Sequence, residues 1–259
     1  MGTPFWRTMP GALGEAARRH PPELATFDRH GRRLDEVRFV PAYHRLMRLG
    51  LEGGYAALPW QGGPGGQVAH AALVYLMTQV EPGLCCPMTM TYAAVPALEA
   101  GADLAALWRP RLISGLYDPS TIAVGGKAGA TLGMAMTEKQ GGSDLRGSST
   151  VAVRDGEDWR LTGHKWFCSA PMSDGFLTLA RTDAGLSCFL VPRWLPDGSR
   201  NAIRLMRLKD KMGNRANASA EIEYEGAWAQ MLGEEGQGSA RSCGWCTTRG
   251  STPPWHRRG

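Results

Sequence analysis

The hydrophobic period of this chain changes once, near Lys127, from that of a helix to that of a strand. No single secondary-structure class can satisfy both halves, because helical faces repeat every 3.6 residues and strand faces every two. Upstream, residues 1–33 are polar, rich in Pro and Arg, and poorly patterned. From Pro41, PAYHRLMRLGLEGG places Tyr43, Leu46, Met47, Leu49 and Leu51 near one face, and Gly53-Gly54 ends the run. QVAHAALVYLMTQVEPG repeats the pattern up to Pro82-Gly83. TMTYAAVPALEAG and DLAALWRPRLISGLY read as two further helices, which Pro96 and Pro110 either kink or help to end. Residues 1–127 are therefore expected to be all-α.

Downstream, ATLGMAMT, TVAVRD, DWRLTGHKWFCS, FLTLART, LSCFLVPR, AIRLMRL and SAEIEYEG alternate as strands between turn signals. Asp155-Gly156 supplies the turn chemistry of a hairpin. Seven short strands predict an antiparallel barrel or sandwich. The expected fold class is α+β, with a helical domain over 1–127, a β-domain over 128–238 and a tail over 239–259.

Composition removes several function classes. With 43% apolar and 20% charged residues, the chain has material for a core. Its longest apolar run, Ala71 to Met77, falls far short of the roughly 20 residues a membrane helix needs. No apolar signal region follows a basic start, and six scattered cysteines do not form a disulfide framework, so a cytoplasmic setting is expected. Cys243 and Cys246 lack a second ligand pair, so no metal is expected. The formal charge is +5, but residues 239–259 hold four arginines and no acid, which leaves only +1 on the rest. The basic character therefore belongs to the tail and not to a polyanion-binding body.

Two segments carry chemistry. MAMTEKQGGSD, Met134 to Asp144, runs from a strand into a loop whose two glycines let a ligand approach backbone donors and the hydroxyls of Thr137 and Ser143. An ordinary strand connection would look similar. GHKWFCSA, Gly163 to Ala170, has adjacent aromatics, Trp166 and Phe167, which cannot both enter a core from one regular strand. One ring is then available to a planar ligand, or merely lies on the surface. Gly125-Gly126-Lys127 lacks the remainder of a phosphate loop and reads as a linker.

Together these segments resemble the flavin-binding text of the acyl-CoA dehydrogenase family, a strand ending in T-E-x-x-x-G-S-D followed by G-x-K-x-W-I-T/S. HPPELATFDRHGRRLDEVRF, CPMTMTYAA, GLSCFLVPR, LPDGSRNAIRL, RLKDKMGNRANAS and LGEEGQG extend the resemblance over about residues 20–238, towards the alkylation-response, AidB-like branch. It implies a middle β-barrel that binds FAD, with Met134, Met136, Thr137, Gly142, Ser143, Trp166, Phe167, Cys168 and Ser169 as cofactor-binding residues. By resemblance, Met136 and Thr137 meet the flavin pyrimidine edge, Ser143 the pyrophosphate and Phe167 the isoalloxazine, while Ser169 lies near N5. Lys209 and Lys211 are expected in a barrel loop outside the site. The implied reaction is α,β-dehydrogenation of an acyl-CoA by a homo-tetramer. The family's catalytic carboxylate lies in a C-terminal helical bundle, so none is assigned here, and Glu138 reads as a loop residue. The alternatives are a DNA-protective flavoprotein, with this portion binding DNA weakly or not at all, and a non-functional fragment.

The tail SARSCGWCTTRGSTPPWHRRG has no Leu, Ile, Val, Met or Phe. Codons for Cys and Trp begin with T, and a shifted frame turns them into middle-T codons, which encode only Phe, Leu, Ile, Met or Val. Cys243, Trp245 and Cys246, with Ser242, would then give the spacing of a helix face. A frameshifted tail on a truncated, inactive chain is the expectation. Sequencing the locus tests it, and downstream DNA encoding no helical bundle in another frame would defeat it.

Overall fold

The computed structural model describes residues 9–142 and 144–238. The tail over 239–259, and the frameshift expected of it, lie outside the described residues. Among the described residues there are five α-helices: α1 (Met9–Arg19), α2 (Pro41–Glu52), α3 (Gly66–Val80), α4 (Pro82–Leu98) and α5 (Ala102–Leu112). They accompany nine strands, β1 (Glu23–Phe27), β2 (Arg33–Arg38), β3 (Leu132–Ala135), β4 (Val151–Asp155), β5 (Asp158–Ser169), β6 (Gly175–Thr182), β7 (Gly185–Pro192), β8 (Ile203–Leu208) and β9 (Ser219–Met231). All seven strands expected after Lys127 form.

The first 127 residues are not all-α. α1 occupies part of the stretch read as unpatterned, and β1 and β2 form an antiparallel hairpin. Its turn is set by Asp28, whose Oδ1 accepts the backbone N–H groups of His30 and Arg32, and by Gly31 at φ +77°. The hairpin is anchored from far away: Arg33 donates to the Leu205 carbonyl, and Arg200 donates to the Arg33 carbonyl.

Pro96 lies inside α4, where it removes the N–H that would bond the carbonyl four residues earlier. That carbonyl, on Tyr92, accepts instead from the Trp60 indole at 3.0 Å. Pro110 stands two residues before the end of α5.

β3 to β9 form one seven-stranded sheet in the order β3-β5-β4-β6-β7-β9-β8, with further pairings of β3 with β6 and β5 with β9. It is mixed, because β6 runs parallel to both β3 and β4. β7 meets β9 through only two residue pairs. The sheet is therefore not the regular closed antiparallel barrel expected: β3 is only four residues long and leaves β6 partnered by two short parallel segments.

Two cores meet across this sheet. On β6, Phe176 and Ala180 enter the sheet's own interior, while Leu177 and Leu179 join the core shared with α2, α4 and α5. β7 divides likewise, with Phe189 and Val191 inside and Cys188 and Leu190 towards the helices. Apolar residues on both faces explain why these strands read as continuous hydrophobic runs.

His70 on α3 is buried against this helical core. Its Nδ1 donates to the Tyr55 carbonyl at 2.7 Å, its ring stacks on Tyr92 at 3.9 Å, and Nε2 is buried with no hydrogen-bond partner. Burial lowers its pKa from 6.5. The unfolded chain therefore binds the proton first, and stability falls as pH drops below about 6.5. Denaturant melts at about pH 7.5 and about pH 5 should show this loss, and His70→Asn should reduce it; an equal loss in the variant would exclude His70 as its source.

Candidate functional site

The loop after β3 is held by one carboxylate. Glu138 and Gly141 exchange backbone hydrogen bonds at 3.0 and 3.2 Å, closing a tight turn. The Glu138 side chain, 3% exposed, points under the loop. Its Oε2 accepts from the Ser149 N–H at 2.6 Å, the Ser149 hydroxyl at 2.8 Å and Gln140 at 2.7 Å. Oε1 accepts from the Thr150 N–H at 3.1 Å, the Thr150 hydroxyl at 2.7 Å and Lys165 Nζ at 2.6 Å. Burial opposes the charge, but Lys165, Ser149 and Thr150 outweigh it and hold the carboxyl down at about 2. Lys165, fully buried, also donates to the Leu179 carbonyl at 2.7 Å. Burial lowers its pKa and Glu138 opposes that shift.

Lys165 begins a bulge. On β9, Ile222 faces Lys165 and Ala220 faces Cys168, so three steps along β5 match two along β9. Lys165 and Cys168 both point inward as a result, and Trp166 and Phe167 are both turned out of the core. The bulge is clamped to the loop: the N–H groups of Trp166 and Phe167 both reach the Thr137 carbonyl, at 2.8 and 3.4 Å. Met134 pairs with Ser169, and Ala135 with Cys168.

Thr137, Trp166, Phe167, Ser169 and Met134 are thus brought together on one ledge. Phe167 is 37% exposed, and Thr137 and Ser169 are half-buried. Among the described residues neither of those two hydroxyls has a hydrogen-bond partner. Gly142 is exposed beside Thr137, where a Cβ would come within 2.9 Å of the Thr137 methyl. Ser143 lies outside the described residues. Met136 is mostly buried. Cys168 departs from the expected set: it is 0% exposed in the sheet interior, and burial pushes its thiol pKa up. Its side chain fills the core, because the bulge that exposes Phe167 returns the next residue inward.

Lys209, expected outside the site, reaches it. Its Nζ lies 3.2 Å from the Trp166 ring centroid and 4.9 Å from that of Phe167, and it pairs with Glu221 at 2.5 Å. Arg207 and Lys139 also face Trp166, at 5.6 and 5.2 Å. Such contacts contribute about 0.5–2 kcal/mol each. Pairing of β8 with β9 delivers Arg207 and Lys209 to β5, a register that no local motif announces.

A cleft of about 480 Å³ lies elsewhere. It holds Phe39, Tyr43, His44, Tyr117 and the buried Lys127–Asp174 pair at 2.6 Å. Thr131, just before β3, borders it, whereas the ledge follows the other end of that strand.

Residues 7–119 match the adaptive response protein AidB N-terminal domain, and residues 133–227 match the acyl-CoA dehydrogenase middle domain. The chain is 51% identical to the putative acyl-CoA dehydrogenase AidB of Escherichia coli over 231 residues, covering 87% of this chain and 42% of that protein. Among solved structures, the apo form of Bd2924 superposes with a TM-score of 0.81 at 34% identity, over 92% of this chain and 49% of that one. Caenorhabditis elegans ACDH-11 in complex with C11-CoA gives a TM-score of 0.83 at 31% identity, over 93% of this chain and 42% of that one. The chain therefore spans less than half the length of each of these three.

Lys165→Met, which strands the Glu138 charge, should cost about 3–5 kcal/mol, whereas Lys165→Met with Glu138→Leu should restore much of that loss. Denaturant melts of both variants check this, and a double variant no better than the single one would refute coupling. Because Glu138 titrates at about 2 when folded and near 4.5 when free, its stabilisation is complete above about 4.5 and disappears as pH falls towards 2.

Proposed function

Because the chain belongs to the acyl-CoA dehydrogenase family, with an AidB-type N-terminal domain, we propose that its β3–β5 ledge cradles the flavin of FAD in an oxidoreductase acting on acyl-CoA thioesters. The supporting observation is the double outward turn at Trp166 and Phe167, pinned to the Thr137 carbonyl. A large aromatic ring beside two unengaged hydroxyls and an open glycine turn fits a planar, carbonyl-edged ring system. FAD held there would supply a hydride acceptor for the β-carbon of the substrate.

This chain's residues bind and polarise. Phe167 offers a face to the ring, Thr137 and Ser169 donate hydroxyl protons to its polar edges, and the backbone around Met134 and Met136 sets their distance from it. Ser143 and Gly142 would approach the phosphate-bearing part. Lys209, Arg207 and Lys139 surround Trp166 with positive charge, which favours an electron-rich neighbour. Glu138 does not abstract the substrate's α-proton: its oxygens are sealed under the loop and its pKa is far below that of a useful base at neutral pH. The acyl-CoA substrate and a tetrameric assembly belong to the same proposal for the whole protein. The DNA-binding alternative has no observation of its own among the described residues.

Titration of FAD into the chain, followed by quenching of flavin fluorescence, should show saturable binding. Phe167→Ala should weaken it about tenfold, and Thr137→Val by a smaller factor, while the thermal midpoints stay near that of the parent. Absence of binding, or affinities unchanged in both variants, would overturn the reading.

A further inference from the structure

The segment between β8 and β9 forms a second recess with Pro21 and Pro22, the residues just before β1. It has a volume of about 210 Å³ and is bordered by Lys209, Asp210, Lys211, Arg215, Asn217 and Ser219. Three features distinguish it from a solvated basic loop.

The first is Asn217. It is 1% exposed, and neither its side-chain oxygen nor its nitrogen has a hydrogen-bond partner among the described residues. A buried amide left unmatched costs about 1–3 kcal/mol, so such a group marks a place where a partner belongs. The second is Lys211. Its ammonium is half-buried and donates only to neutral oxygens, the Asn217 carbonyl at 2.7 Å and the Ser219 hydroxyl at 3.2 Å. Burial lowers its pKa, and among the described residues no carboxylate pairs with it. The third is charge distribution. Glu221 answers Lys209 and Arg207, leaving Lys211 and the exposed Arg215 against Asp210 alone. The buried Glu81 nearby caps α4 through Oε1, which accepts the Gly83 N–H at 2.9 Å, while its Oε2 has no hydrogen-bond partner among the described residues.

A recess of this size is below the roughly 300 Å³ of ordinary small-molecule sites. It suits a compact group rich in acceptor oxygens. The ammonium, the amide N–H and the guanidinium at the rim are donors for phosphoryl oxygens, and the P–OH of a hydrogen phosphate can donate to the Asn217 Oδ1.

We propose that the recess formed by Lys211, Asn217, Ser219 and Arg215 is a phosphate-binding site, taking either free phosphate or the terminal phosphate of a monoester. It shares only Lys209 with the aromatic ledge and does not depend on the flavin reading. Lys211 and Asn217 grip the oxyanion, and Arg215 covers it from the solvent side.

Calorimetric titration of the full chain with inorganic phosphate, against chloride at equal ionic strength, should give saturable binding near about 1 mM or tighter. AMP in place of phosphate separates the two sources: tighter binding of AMP assigns a monoester, and equal or weaker binding assigns free phosphate. Lys211→Met should weaken binding about tenfold or more, and Arg215→Gln about threefold, while Arg154→Gln on β4 should leave it unchanged. Arg215 is exposed, so its variant keeps the test decisive should Lys211→Met fold poorly. No binding beyond the chloride control, or equal binding by the parent and Arg215→Gln chains, would overturn the proposal.

Discussion

The ion pair between Glu138 and Lys165 is the contact on which the candidate site depends. A buried ammonium and carboxylate gain little net stability over an apolar pair of the same shape, since both must be stripped of water. Their value here is positional. Glu138 and its donor Gln140 belong to the loop after β3, Lys165 to β5, and Ser149 and Thr150 to the approach to β4. The Lys165 contact to the Leu179 carbonyl adds β6. One salt bridge therefore fixes four segments at the point where the sheet is least regular. A Glu138 oxygen that lost its donors would pull the loop towards solvent. The Thr137 carbonyl would go with it and release both N–H groups of the bulge.

That bulge explains why the ledge exists at all. A regular β5 would send Lys165 and Phe167 to the same face. An aromatic ring would then be buried where the ammonium now lies, or the ammonium exposed where the ring now lies. One extra residue against β9 frees two side chains from the alternation. Trp166 becomes a platform for the Lys209 ammonium, and Phe167 presents an open face. The short β3 contributes by ending early. Four residues suffice to pair with β5 and β6 before the chain leaves the sheet and turns over the ledge.

Much of the fold was legible because each element after residue 40 carries its own period. The seven strands and the helices α2 to α5 could be read from apolar spacing and from glycine and proline stops. The hairpin of β1 and β2 could not. ELATF leaves Phe27 exposed, and β2 buries an aspartate, Asp35, whose partners include Arg200 across the fold. Its anchors lie as far as 172 residues away, and no window contains them. At the site, the segments around Thr137 and Phe167 were legible as motifs. The inward turn of Cys168 and the arrival of Lys209 were not, since both follow from how β5, β8 and β9 are registered. Glu138 illustrates the same limit: a glutamate in a polar loop gives no local sign that six donors converge on it.

The electrostatics of the two carboxylate clusters divide the chain's work. A proton-abstracting base needs a pKa near working pH and an open path to its substrate. Glu138 has neither, because charge-assisted hydrogen bonds hold it low and the loop covers it. Asp174 goes the other way: burial raises its pKa, against the opposing pull of Lys127, yet both its oxygens are already engaged, by Lys127 and by the Thr131 N–H. Each is committed to holding one end of β3. The described residues therefore supply shape, stacking surface and positive field. These are the requirements for binding an electron acceptor, and they are best met by groups that never exchange a proton. A rigid cradle and a mobile proton place opposite demands on a carboxylate, and here both β3-flanking acids are spent on rigidity.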